Sequence, residues 1–145
     1  MGKLTNSLVA TLAIVSISST ALASDSAKAV GNIGDYKIEG YSSITNDSNS
    51  VSVRTETVSY TQKWSGKKLI WTTTPIDKIK ANAILYDKKG NIVDSDMPSS
   101  LSDEYEAYAE AEGKYDSSKA PYEGRSIWYA KTGSTVWSDS ADVSL

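Results

Sequence analysis

S-D-E-Y-E-A-Y-A-E-A-E-G, Ser102 to Gly113, reads two ways, and the choice sets the fold class. As a helix it offers a Ser cap, acids in the first turn, alanine filling and a terminal glycine. As a strand it puts Tyr105, Ala107, Ala109, Ala111, Gly113 and Tyr115 on one face. Glu104, Glu106, Glu110 and Glu112 then line the other. The unbroken two-residue period favours the strand, and Glu110 and Glu112 would sit badly at the negative end of a helix. This preference runs against alanine's helix propensity. The strand reading makes the chain all-β; the helix reading leaves an α+β protein with a short helix at 102–113.

The sequence around this stretch is patterned as hairpins. Ile79, Ala81, Ala83 and Leu85 alternate with Lys80, Asn82, Ile84 and Tyr86, and Asp87-Lys88-Lys89-Gly90-Asn91 suits a type I turn closed by a left-handed glycine. That turn sets Asp87 opposite Asn91 and Leu85 opposite Val93. A second hairpin, Val58 to Thr73, turns at Ser65-Gly66, pairs Trp64 with Lys67 and places Tyr60 opposite Trp71. It gathers Val58, Tyr60, Leu69 and Trp71 on one face, although Lys63 then meets Lys68. A third, Ser126 to Leu145, turns at Thr132-Gly133 and sets Trp128 opposite Trp137. A bulge near Ser138 to Ser140 is invoked to reconcile its two faces.

Upstream, Tyr36, Ile38 and Ile44 oppose Lys37, Glu39 and Ser43 in parity, with Gly40 as a candidate bulge. Val51 and Val53 point inward there, and Arg54 and Glu56 outward. Asp94 to Asp103 and Asp116 to Gly124 read as loops. Residues 35–145 are therefore expected to form a single antiparallel β-sandwich of seven or eight strands, immunoglobulin-like in layout.

Met1 to Ala23 has the form of a cleaved secretory signal: Lys3, an apolar run from Leu8 to Ile17, then Ala21-Leu22-Ala23 before Ser24. Ser24 to Gly34 is small and polar and reads as a flexible leader. The chain has no Cys for a lipid anchor, and Asn6 breaks the myristoylation pattern. A secreted protein with no membrane attachment after cleavage is the expectation. Formal charge is −3 for the whole chain, which argues against nucleic acid or anionic membrane as partner.

The absence of His and Cys removes Ser-His-Asp and Cys-His nucleophiles and most zinc or copper sites. No phosphate-cradling glycine motif occurs. Glu104, Glu106, Glu110 and Glu112 qualify as glycosidase carboxylates only by type and read as a solvated row. Asp94-Ser95-Asp96 and Asn46-Asp47-Ser48-Asn49 cluster oxygens of the kind calcium takes, yet loop Asp and Asn chiefly make turns. Neither a catalytic residue, a metal ligand nor a cofactor is expected.

Four Trp and nine Tyr, with no Phe, are the remaining resource, since both residue types suit wet binding surfaces. Trp128 and Tyr129 are adjacent, so one of them must face out. With Trp137 they are the candidate ligand-binding residues. The patterns Y-x-A-x-A-x-A-x-G-x-Y (Tyr105 to Tyr115), G-R-S-I-W-Y-A (Gly124 to Ala130) and W-S-D-S-A-D-V-S-L (Trp137 to Leu145) resemble small secreted β-sandwich proteins of Gram-positive bacteria. The resemblance implies fold and export, and no site residue.

The leading functional expectation is a non-enzymatic module that binds a polysaccharide or another surface protein. One alternative is a self-associating matrix protein, its strand edges guarded by Lys78, Lys80 and the Glu row. The other is a bacteriocin-like inhibitory protein.

Overall fold

The structure, a computed structural model, describes residues 23–47 and 49–145. Met1 to Leu22, most of the expected signal, lies outside them. The nine strands described are β1 (Ala23–Ile33), β2 (Tyr36–Asn46), β3 (Ser50–Ser65), β4 (Lys68–Thr73), β5 (Lys78–Tyr86), β6 (Ile92–Asp96), β7 (Glu106–Lys114), β8 (Glu123–Thr132) and β9 (Thr135–Ser144). They form two antiparallel sheets packed face to face. One runs β1-β2-β3, with both β4 and β7 against β3; the other runs β6-β5-β8-β9.

The ambiguous stretch is strand β7, and it lies on the first half of β3 from Ser50↔Lys114 to Val58↔Glu106. Ala107, Ala109 and Ala111 enter the core, where small side chains let the opposing sheet come close. Ile79, Ala81, Ala83 and Leu85 are buried from the other side, as their alternation requires. The path β3–β5–β6–β7–β8–β9 exchanges sheets as an immunoglobulin-type sandwich does, with β1 and β2 added as a meander. Tyr122, just before β8, adds that fold's corner contact: it is fully buried, and its hydroxyl donates to the Asp116 carbonyl (3.2 Å) and accepts from the Asp116 amide (3.0 Å).

Several expectations give way. The supposed leader from Ser24 is an edge strand, paired with β2 over its whole length. Gly40 is not a bulge; the β2 ladder passes it unbroken. Asp94 to Asp96 belong to β6, not to a loop. In the β5–β6 hairpin Asp87 and Asn91 do face each other (3.0 Å) and Gly90 is left-handed at φ 77°. Leu85, however, pairs with Asp94, because the ladder shifts there by one residue.

The two other hairpins share one error. Gly66 and Gly133 hold the first position of their two-residue turns, at φ 60° and 55°, where primed turns demand a positive φ. Each register therefore sits two residues from the expected one. Trp64 meets Leu69, Lys63 meets Ile70, and Trp128 meets Asp139. A two-residue slip keeps every side chain on its face. No bulge interrupts β8–β9; Ile127 and Tyr129 simply face outward.

Both seams of the sandwich are closed by aspartates. Asp94 and Asp96 of β6 accept the Glu112 and Glu110 amides on the open side of β7, at 2.9 and 3.0 Å. Asp25 of β1 accepts the Ser144 amide of β9 at 3.1 Å. An open strand edge invites pairing with another chain, and these carboxylates occupy its donors. Lys78 and Lys80 lie where β5 pairs with β8 on one side, while on the other the β6 ladder covers Ala83 to Tyr86 and, among the described residues, Leu101 alone bridges Ile79. Replacing Asp94 and Asp96 together by Ala is expected to cost about 1 kcal/mol per lost hydrogen bond. It should also make light scattering rise with concentration; an unchanged monomer of unchanged stability would contradict the clamp.

Candidate functional site

The three aromatics expected to bind ligand do not come together. Trp128 is fully buried between the sheets, and its Nε1–H donates to the Tyr41 carbonyl at 3.1 Å. A Cβ on Gly40 would lie 2.3 Å from its ring, so the glycine exists for this indole. Trp137 lies partly buried over Gly31 of β1 and closes the β1–β9 side of the core. Tyr129 alone reaches the outer face of the four-stranded sheet, half-buried opposite Ser138. That face carries a shallow depression of about 520 Å³ by Ile127, where Arg125 and Asp142 already satisfy each other at 2.7 Å.

A different surface is unusual. On the outer, solvent side of the five-stranded sheet, register aligns Lys28, Tyr41 and Glu56, and beside them Glu39 and Val58. Such a face should be wet, yet Tyr41, Val58 and Tyr60 form a second apolar cluster there, with Trp71 of β4 packed on it. The aromatic and Lys side chains on neighbouring strands shelter one another. Lys28 sits over the Tyr41 ring at 4.9 Å, and Lys37 over Tyr60 at 4.8 Å and Trp71 at 4.7 Å. These cation–π contacts add to the burial and hold the lysines in place.

Two carboxylates are trapped in this cluster, with opposite electrostatics. Glu39 accepts from Lys28 (3.2 Å), Lys37 (3.1 Å) and the Tyr41 hydroxyl. Burial alone would raise its pKa, but the Tyr41 hydrogen bond and the two ammonium groups prevail and hold it below the ordinary value. Glu56 is only 5% exposed, and among the described residues no cation pairs with it. Burial first, then hydrogen bonding and charge repulsion from Glu106 on β7, push it up to about 8. Near neutral pH this favours the uncharged form of Glu56. Burial and the nearby Glu39 carboxylate likewise raise the Tyr60 hydroxyl well above its usual value.

Three polar atoms on this face have no hydrogen-bond partner among the described residues: Glu56 Oε2, the Tyr60 hydroxyl and the Ser43 hydroxyl. Buried polar groups are nearly always satisfied, so unpartnered ones need a reason. The sequence placed Glu56 outward correctly but gave no sign that it is buried. That depends on Tyr41 and Tyr108 flanking it across two ladders, a long-range consequence of register. Glu110 and Asp47 are engaged elsewhere. Glu110 pairs with Arg54 (2.6 Å) and accepts from the Tyr108 hydroxyl (2.7 Å). Asp47 makes a turn, accepting from the Asn49 and Ser50 amides at 2.7 Å each.

No family model, curated protein or solved structure matches this chain. Its own geometry is what bears on function.

Proposed function

We propose that this protein is an exported, non-enzymatic module that binds a polysaccharide of the cell surface on the outer face of the five-stranded sheet. The observation that carries the reading is the presence on one face of two buried groups without a hydrogen-bond partner among the described residues, Glu56 Oε2 and the Tyr60 hydroxyl, with the Trp71 ring packed on the Tyr60 end of the cluster. Sugars present hydroxyl groups for such atoms and apolar ring faces for indoles. Aromatic rings and a neutral carboxyl on a continuous, open sheet suit holding a chain of sugars more than cleaving it. Export by the segment ending at Ala23 is part of the proposal, and N-terminal sequencing of the released protein checks it.

Retention on a panel of immobilised polysaccharides and labelled cell walls tests the binding. Trp71→Ala is expected to weaken retention at least about tenfold, as for an aromatic anchor at the centre of an interface. Tyr60→Phe gives a sharper test, because it removes a hydroxyl that lacks a well-formed hydrogen bond among the described residues. It should leave stability unchanged or raise it by about 1 kcal/mol, while weakening retention. Wild-type protein that passes every matrix unretarded, or a Tyr60→Phe variant that binds undiminished but unfolds more easily, would refute the assignment.

A further inference from the structure

The β3–β4 hairpin stands clear of the sandwich. β2 leaves β3 at Tyr60 and β7 leaves it at Val58, so from Thr61 onward β3 has β4 as its one partner. Five residues of strand at about 3.4 Å each give a projection of roughly 17 Å. Every residue from Gln62 to Leu69 is exposed. Trp64, at 74% exposure, and Leu69, at 46%, are cross-strand partners on one face of the tip. An isolated two-stranded tip gains nothing in folding from displaying an indole to water.

The charge of the tip differs from that of the chain. Lys63, Lys67 and Lys68 crowd it, and no Asp or Glu occurs between Glu56 and Asp77. All three lysines are exposed. The ion pairs among the described residues use Lys28, Lys37, Arg54 and Arg125 instead. A protein with net charge −3 thus carries one cationic finger, with the Trp64–Leu69 pair on one face just behind its turn, Lys67 in the turn, and Lys63 and Lys68 on the opposite face. A soluble polyanion would need the lysines and no Trp64–Leu69 pair; an apolar protein groove would need the pair and no lysines. A lipid interface with negative headgroups uses both, seating Trp at headgroup level while Lys meets phosphate.

We infer that the β3–β4 hairpin docks on the surface of an anionic phospholipid bilayer. Net charge averages the finger with an acidic body, so it does not speak against this docking. The inference is independent of the polysaccharide reading, which rests on the sheet face.

Sedimentation of the protein, as exported by an expressing host, with vesicles of phosphatidylcholine alone or mixed with phosphatidylglycerol tests it. Binding is expected to the mixed vesicles, to weaken with added salt, and to shift Trp fluorescence to the blue. Lys63→Glu, Lys67→Glu and Lys68→Glu combined should reduce binding by roughly 100-fold or more. Trp64→Ala should reduce it several-fold and abolish the spectral shift. The Tyr60→Phe protein should bind vesicles as wild type does, which separates this result from the polysaccharide test. Unchanged far-UV spectra establish that the tip variants still fold. Three results would overturn the inference: no sedimentation with either vesicle, equal sedimentation with both, or affinity for a soluble polyanion without affinity for vesicles.

Discussion

Trp128→Ala is expected to lower stability by about 3–5 kcal/mol, the range for deleting a buried aromatic. The indole is fully enclosed, and its removal also strips the Tyr41 carbonyl of a hydrogen bond. Gly40→Ala should be harmful for the complementary reason. Its new Cβ would lie 2.3–2.7 Å from three ring atoms of Trp128, and the buried ring has little room to retreat. Overpacking of this kind costs about 1–3 kcal/mol. The two changes should be strongly non-additive, since Gly40→Ala has nothing to strike once the indole is gone. Urea denaturation of the two single variants and the double variant measures the coupling. Additive losses would mean that Gly40 serves some purpose other than admitting Trp128.

Wild-type stability is expected to fall as pH rises from about 4.5 to about 8, and Glu56→Gln is expected to flatten that fall. The folded chain holds a proton on Glu56 up to about pH 8, whereas the unfolded chain releases it near the ordinary value of 4.5. Within that window the folded state binds more protons, so raising the pH favours unfolding, by at most about 1.4 kcal/mol per unit before solvent screening is allowed for. Glu39 acts in the opposite sense at lower pH. Its folded value is depressed, so its contribution is complete above 4.5 and is lost as pH drops through the folded value. Denaturant midpoints across pH 3–9 read both effects. A Glu56→Gln protein with the wild-type slope would show that Glu56 is ionised in the fold.

Parity was the part of this architecture most legible in the sequence. Alternation alone identified β7 against a competing helix, buried the alanines of β5, and put Trp128 and Tyr129 on opposite faces. What failed was register, and the cause was turn stereochemistry. Gly66 and Gly133 occupy the first turn position, and assigning them to the second moved each hairpin by two residues. Gly40 was misread because an in-strand glycine has two meanings, a bulge or a close approach, and only the opposing sheet distinguishes them. The edge strand β1 was missed because S-D-S-A-K-A-V-G-N-I carries too little apolar signal; β2 alongside and Trp137 opposite hold it in place. The outer cluster was hidden for a related reason. Glu39, Tyr41, Glu56 and Tyr60 look like solvent-facing residues in the chain, and only lateral pairing of β2 with β3 makes them bury one another.

The length of β3 has a mechanical consequence. Its sixteen residues run without interruption from the centre of the five-stranded sheet to the projecting tip. A load applied at the tip travels down one covalent strand into ladders that lie parallel to the pull. The cross-links to β2 and β7 must then yield together in shear instead of peeling one by one. Pulled from the tip, the body should therefore withstand a higher force than it would if its strands were unzipped one at a time.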